Sequence, residues 1–153
     1  STMQAQVFGY INSVELLADL DEMQVAERNV EDFRVQQKKM LQMEIDTFIE
    51  ELQITGERIS CGGTPEQLES FQIHMQAEQD RIAEIEANQK LFLAAHRKKE
   101  FQPIHDKVDA AIAQVAQARS CQYIFEKADG GVLVYADERV DITTEVKAVL
   151  AAR

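Results

Sequence analysis

One stretch, "RISCGGTPEQLES" at residues 58–70, is the only plain turn signal in the first 119 residues, and it constrains the fold more than anything else in the chain. Gly62 and Gly63 tolerate positive φ, and Pro65 suits the first position of a new helix. Thr64 followed by Gln67 has the capping-box pattern. Helix-like sequence runs for about forty residues before this turn and about fifty after it. No proline or glycine interrupts residues 13–55. The chain is therefore expected to spend most of its length on two long helices joined by a tight tip at residues 60–65.

Periodicity supports that reading. Leu41, Ile45, Phe48, Leu52 and Ile59 form a heptad-like seam with Thr55 in its gap. Upstream, Met23, Ala26, Val30, Phe33, Gln37 and Met40 continue it at lower apolar density. On the return, Leu68, Met75, Ile82, Gln89 and His96 recur every seven residues, with Phe71, Glu78, Ile85, Phe92 and Lys99 at the companion position. Beyond Pro103, which removes one helical hydrogen bond and is expected to kink the helix, Ile104, Val108, Ile112 and Val115 restore the stripe.

The two ends read differently. Val7 to Ile11 is a short strand, and Asn12 or Ser13 caps the helix that follows. After residue 119 the period falls from helical to two. "CQYIFEK" and "GGVLVYAD", separated by "ADGG", predict a β-hairpin, and "DITTEVKAVLAAR" predicts a helix capped by Asp141 or Thr143. The fold class is thus α+β, mostly α, as one domain. A body of residues 4–20 and 116–153 carries an arm of residues 21–115.

Composition limits the function classes. The chain has 153 residues, 45% hydrophobic content, 7% aromatics, two prolines and no tryptophan, which favours elongated helix over a sandwich or barrel. A net charge of −11 argues against a nucleic-acid surface. No apolar run is long enough to span a membrane, so membrane contact is at most peripheral. The opening "STMQAQVFGY" reads as a mature start after signal-peptide removal, with a few vector-derived residues. If both helices form, Cys61 and Cys121 lie roughly 80 Å apart, which excludes a bridge within one chain.

Short strands with exposed edges and a narrow helical seam bury little on their own. Self-association that builds one shared core is the cheapest remedy. With that inference, the order strand, long hairpin, strand pair and helix resembles the Skp/OmpH family of periplasmic chaperones, and especially the OmpH proteins of Bacteroidetes-type bacteria. The resemblance rests on "FQPIHDKVDAAIAQVAQARSCQYIFEKADGGVLVYADERVDITTEVKAVL" and on the opening "VFGYINSVELL". It implies a periplasmic homotrimer with a β-rich trimerisation body and three helical tentacles. Unfolded outer-membrane proteins would be held in the cavity between them without ATP or any other cofactor. The acidic charge departs from the best-known members, which are basic.

Chemistry-bearing motifs are sparse. No phosphate loop, dinucleotide fingerprint or nucleophile elbow is present. His74, His96 and His105 lie apart, without the spacing of metal ligands. The chain is read as a non-enzyme with no metal site. The trimer interface is expected at Val7, Phe8, Tyr10, Ile11, Tyr123, Ile124, Phe125, Val132, Leu133, Val134 and Tyr135. Client contact is expected at Met43, Ile49, Ile54 and Ile73, apolar residues that miss the helical seam. The basic run "HRKKE" at 96–100 is read as a solvated face paired with Glu27, Glu31 or Asp32. A structural adaptor that grips one specific partner helix is the alternative function, and a regular second apolar stripe would have favoured it.

Overall fold

A computed structural model describes residues 6–127 and 133–152. Its elements are β1 (Phe8–Ile11), α1 (Ser13–Ala18), α2 (Asp21–Ser60), α3 (Pro65–Ala118), β2 (Tyr123–Glu126), a 3₁₀ turn (Glu138–Val140) and α4 (Thr143–Ala151). The chain is mostly helical with one small sheet, as the α+β reading requires. It divides into two compact units, Ser1–Glu27 with Lys99–Arg153 and Arg28–Lys98.

The tip forms as its residue types dictate. Gly62 adopts φ +143°, which only glycine takes without strain. A Cβ on Gly63 would lie 2.8 Å from the Ile59 side chain. The amide of Gln67 donates to Thr64 Oγ1 at 3.3 Å, while Gln67 Oε1 accepts from the Thr64 amide at 2.9 Å. Both halves of the capping box are therefore made, and α3 starts at Pro65.

Within the Arg28–Lys98 unit, α2 and α3 meet through contacts whose numbers fall in one helix as they rise in the other. Gln89 Nε2 donates to the Gln37 carbonyl at 2.7 Å, Arg81 pairs with Glu44 at 2.9 Å, and His74 lies 3.8 Å from Glu51. The His96 ring stacks on Phe33 at 4.3 Å. Phe48 is buried, and Leu41, Ile45, Leu52 and Ile59 are half-buried as the seam requires. Phe92 departs from its expected place. It is 59% exposed, and Leu93 is half-buried instead. A straight helix drifts by about 20° per heptad, so three heptads from Phe71 carry a strict seven-residue stripe off the contact face.

The other unit differs from expectation in three ways. The first helix is broken at Asp19 and Leu20 into α1 and α2. β2 pairs in parallel with β1, in the register Phe8↔Tyr123 to Ile11↔Glu126, and among the described residues no hairpin partner follows it. Leu133–Ala136 adopts no strand, and Val132 lies outside the described residues. The parallel register sets Ile11 and Ile124 over one core with Leu16, Val108, Ala111, Val115, Ile142, Val146 and Leu150. Burial of that apolar face outweighs the local hairpin signal. Thirdly, Ile142 occupies the N-cap of α4 and makes no side-chain cap bond. Asp141 caps from one residue upstream, accepting the Thr143 amide at 2.9 Å. This frees the Thr143 hydroxyl, 2% exposed, to accept the Asn12 amide at 3.0 Å.

Replacing Thr143 with valine keeps its shape and strands the Asn12 amide. The expected cost is about 1–3 kcal/mol in chemical denaturation, and an unchanged midpoint would refute the role assigned to this hydroxyl.

Candidate interaction surfaces

Two surfaces stand out, one in each unit. The first is built on β1. On one side β1 is bonded to β2, and on the other the Ile142 amide donates to the Tyr10 carbonyl at 3.0 Å. Gly9 fits closely between them: a Cβ there would come within 2.9 Å of Ile124 Cδ1, a side-chain end that would have to turn aside. Strand alternation sends Gly9, Ile11 and Ile124 toward the core and Phe8, Tyr123 and Phe125 outward. Phe8 stacks with Tyr123 at 5.8 Å and lies 5.9 Å from Phe125, and all three rings stay exposed. Val7, Val134 and Tyr135 are exposed apolar residues of the same unit.

The expected interface residues therefore fall into two groups. Val7, Phe8, Tyr123, Phe125, Val134 and Tyr135 present free apolar surface. Tyr10 and Ile11 are buried within the single chain, Ile124 packs on its core, and Leu133 is half-buried, so these four act as support. Sequence alternation alone could have separated Ile11 and Ile124 from their neighbours had the partner strand been known.

Tyr10 shares the face of Phe8 by alternation yet is 3% exposed, with Lys127 Nζ 5.4 Å from its ring centre. Burial pushes its phenol pKa up, and the carboxylate of Asp141 adds to this by its charge and by accepting a hydrogen bond. Burial works against ionisation of Asp141, yet its bonds to Thr143 and Tyr10 and the nearby Lys127 hold its pKa below the ordinary value.

The second surface belongs to the Arg28–Lys98 unit. Met43, Ile49, Ile54 and Ile73 are 60%, 48%, 62% and 67% exposed. Sequence reasoning passed over Met40 and Phe92, which are as exposed, because each was placed in a seam, and it did not single out Leu91. Near the tip, an open groove of about 460 Å³ is lined by Ile59 and Phe71 with Arg58, Glu66, Ser70 and His74. Glu31 pairs with Arg34 of its own helix at 2.6 Å. His74 faces Glu51 of α2, and Glu78 pairs with Arg81.

Among the described residues no three His, Cys, Asp or Glu side chains gather as a metal site, and no helix is long and apolar enough to cross a membrane. Cys61 and Cys121 are free thiols. The surfaces that distinguish this molecule are apolar patches on long helices and on one face of a small sheet, which defines a long-helix α+β protein with surfaces suited to binding. A family model described as "Outer membrane protein (OmpH-like)" matches residues 7–150, and the chain belongs to that family. Among solved structures it is similar to a protein of Caulobacter crescentus CB15 assigned as an outer membrane chaperone (OmpH-like). The TM-score is 0.76 at 17% identity, over 98% of this chain and 86% of that one. That likeness speaks for the fold. No curated protein matches the sequence.

The Tyr10–Asp141 pair sets a pH window. A lowered carboxylate contributes stability above its unfolded pKa of about 3.9, lost as pH falls through the lower folded value. A raised phenol contributes below about pH 10, and that is lost as pH rises through the higher folded value. Thermal melts across pH should decline at both ends. Asp141→Asn should flatten the acid side and Tyr10→Phe the alkaline side, and a profile identical to wild type in both variants would exclude the pair as its source.

Proposed function

We propose that the protein is an ATP-independent periplasmic holdase that retains unfolded outer-membrane proteins. In this reading α2 and α3 form an antiparallel hairpin arm, three copies assemble through their β-containing units, and clients occupy the space between the arms. The observation that carries it is the dispersal of exposed apolar side chains over the Arg28–Lys98 unit. Met40, Met43, Ile49, Ile54, Ile73, Leu91 and Phe92 follow no single stripe, whereas a helix made for one partner helix would keep its apolar residues in register. Scattered, flexible contacts suit a client without fixed structure. Family membership and the chaperone assignment of the Caulobacter protein support the same reading.

Assembly rests on Phe8, Tyr123 and Phe125, whose exposed rings offer apolar area to a second copy. Sedimentation equilibrium should give a trimer, and changing all three rings to serine should give a monomer. A stable wild-type monomer at micromolar concentration would remove the assembly from the proposal.

Holding should be shared among many contacts. Alanine at Met43, Ile49, Ile54 or Ile73 singly should cost about 0.5–1 kcal/mol of client affinity, below the hot-spot level of about 2 kcal/mol. The four together should abolish suppression of aggregation of an unfolded β-barrel with the trimer preserved. Total loss from one substitution would point instead to an adaptor with a specific partner.

A further inference from the structure

Charge is segregated along the Arg28–Lys98 unit. The contacts of Gln37 with Gln89, Glu44 with Arg81 and Glu51 with His74 set residues 28–39 level with 87–98. That level holds seven Lys or Arg against two Asp or Glu, a net of +5 in a chain of net −11. Residues 40–86 hold eleven Asp or Glu against two Arg, a net of −9. The unit thus carries a cationic belt beside an acidic band.

Four of the belt's seven cations are available, while Arg34 pairs with Glu31. Lys38, Lys39, Lys90 and Lys98 are exposed and form no ion pair among the described residues. Elsewhere Arg81, Lys107, Arg119, Arg139 and Lys147 each have a carboxylate partner. Arg34, Lys38 and Lys90 line one groove of about 240 Å³ with Glu86. With 27 acidic residues against 16 basic ones, unpaired lysines bunched in one belt are surface left open to an external anion.

We infer that this unit docks on a second copy of itself, two units lying side by side in opposite directions about a two-fold axis, each belt on the other's acidic band. Belt and band centres lie about 17 residues, or roughly 25 Å, apart along the helix. Reversing one copy and placing the axis midway therefore brings both complementary pairs together at once, as an isologous contact requires. The midpoint falls at the level of Met40 and Met43, 59% and 60% exposed and on one face at i, i+3. An apolar centre flanked by complementary charge is ordinary interface anatomy. The repulsion of two chains of net −11 does not prevent it, because the Debye length is about 8 Å at physiological salt and facing charges dominate. A foreign polyanion would also satisfy the belt, but only a second copy brings an acidic band spaced to match it.

Pairing covers Met43 and so withdraws a client contact while no client is present. That consequence alone rests on the holdase reading; the pairing does not.

The test is sedimentation velocity of the full chain at about 100 mM and about 500 mM NaCl, Debye lengths of roughly 10 and 4 Å. The assembly mass should double at low salt and fall to its basal value at high salt. K38E/K39E/K90E/K98E should stay basal at both. Adding E50K/E51K/E57K/E69K/E84K/E86K to that chain gives a belt of −3 against a band of +3, reversing both signs, and should restore the doubling, which also shows that the variants fold. A wild type that never doubles, a belt variant that still doubles, or an exchanged chain that stays basal would each overturn the pairing. So would binding of phosphatidylglycerol vesicles by the belt with no doubling. Aggregation suppression assayed at the higher salt, where the pairing is absent, keeps failure of the holdase reading separate.

Discussion

The unit formed by the two chain ends depends on one strand bonded on both sides. β1 accepts β2 along one edge and the entry to α4 along the other, so four residues near the N-terminus organise the C-terminal thirty. Gly9 lets β2 approach, and the Asn12 amide is answered by Thr143. Leu16, Ile142 and Val146, fully buried, seal the result. Lys147 fastens α4 to Glu15 at 2.7 Å and Asp19 at 2.8 Å, adding little energy at an exposed site but fixing direction.

A parallel strand pair needs a crossover, and here the crossover is residues 12–122, the two long helices included. Closing a free loop of that size costs about 4 kcal/mol by the logarithmic rule, before any constant. Pairing of α2 with α3 shortens the effective loop, because local helix contacts form without waiting for the strands. The tip and its capping box therefore serve the sheet as well as the helices. That is the physical answer to why so small a sheet coexists with such long helices.

The polar dilution of the seam has a related effect. Gln37 and Gln89 meet where a coiled coil would place leucines, and His96 stacks on Phe33 in the same stretch. A helix pair held this way buries less apolar surface than its length allows and leaves more at its flanks, where Met43, Ile54 and Ile73 stand exposed. Membership of the OmpH-like family gives those residues a context, and the shared fold of the Caulobacter protein at 17% identity shows how little sequence such a form demands.

Local chemistry was legible in the chain. The glycines and capping box of the tip, the seam from Leu41 to Ile59, the Asn12 cap and the presence of the final helix all follow from interactions that span a few residues, and the exposure of Met43 and Ile49 follows from their phase relative to that seam. Three things depended on tertiary structure. The choice of β1 over residues 133–136 as the partner of β2 turned on a core assembled from segments more than a hundred residues apart. The inward turn of Ile11 and Ile124 followed from that register. The placing of the belt beside the acidic band needed residues 28–39 and 87–98 brought to one level. The sequence by itself determined where the helices begin, end and bend back, because those are short-range energies. Only the tertiary structure decided which strand pairs with which and which surfaces stay open, because burial is settled between distant parts of the chain.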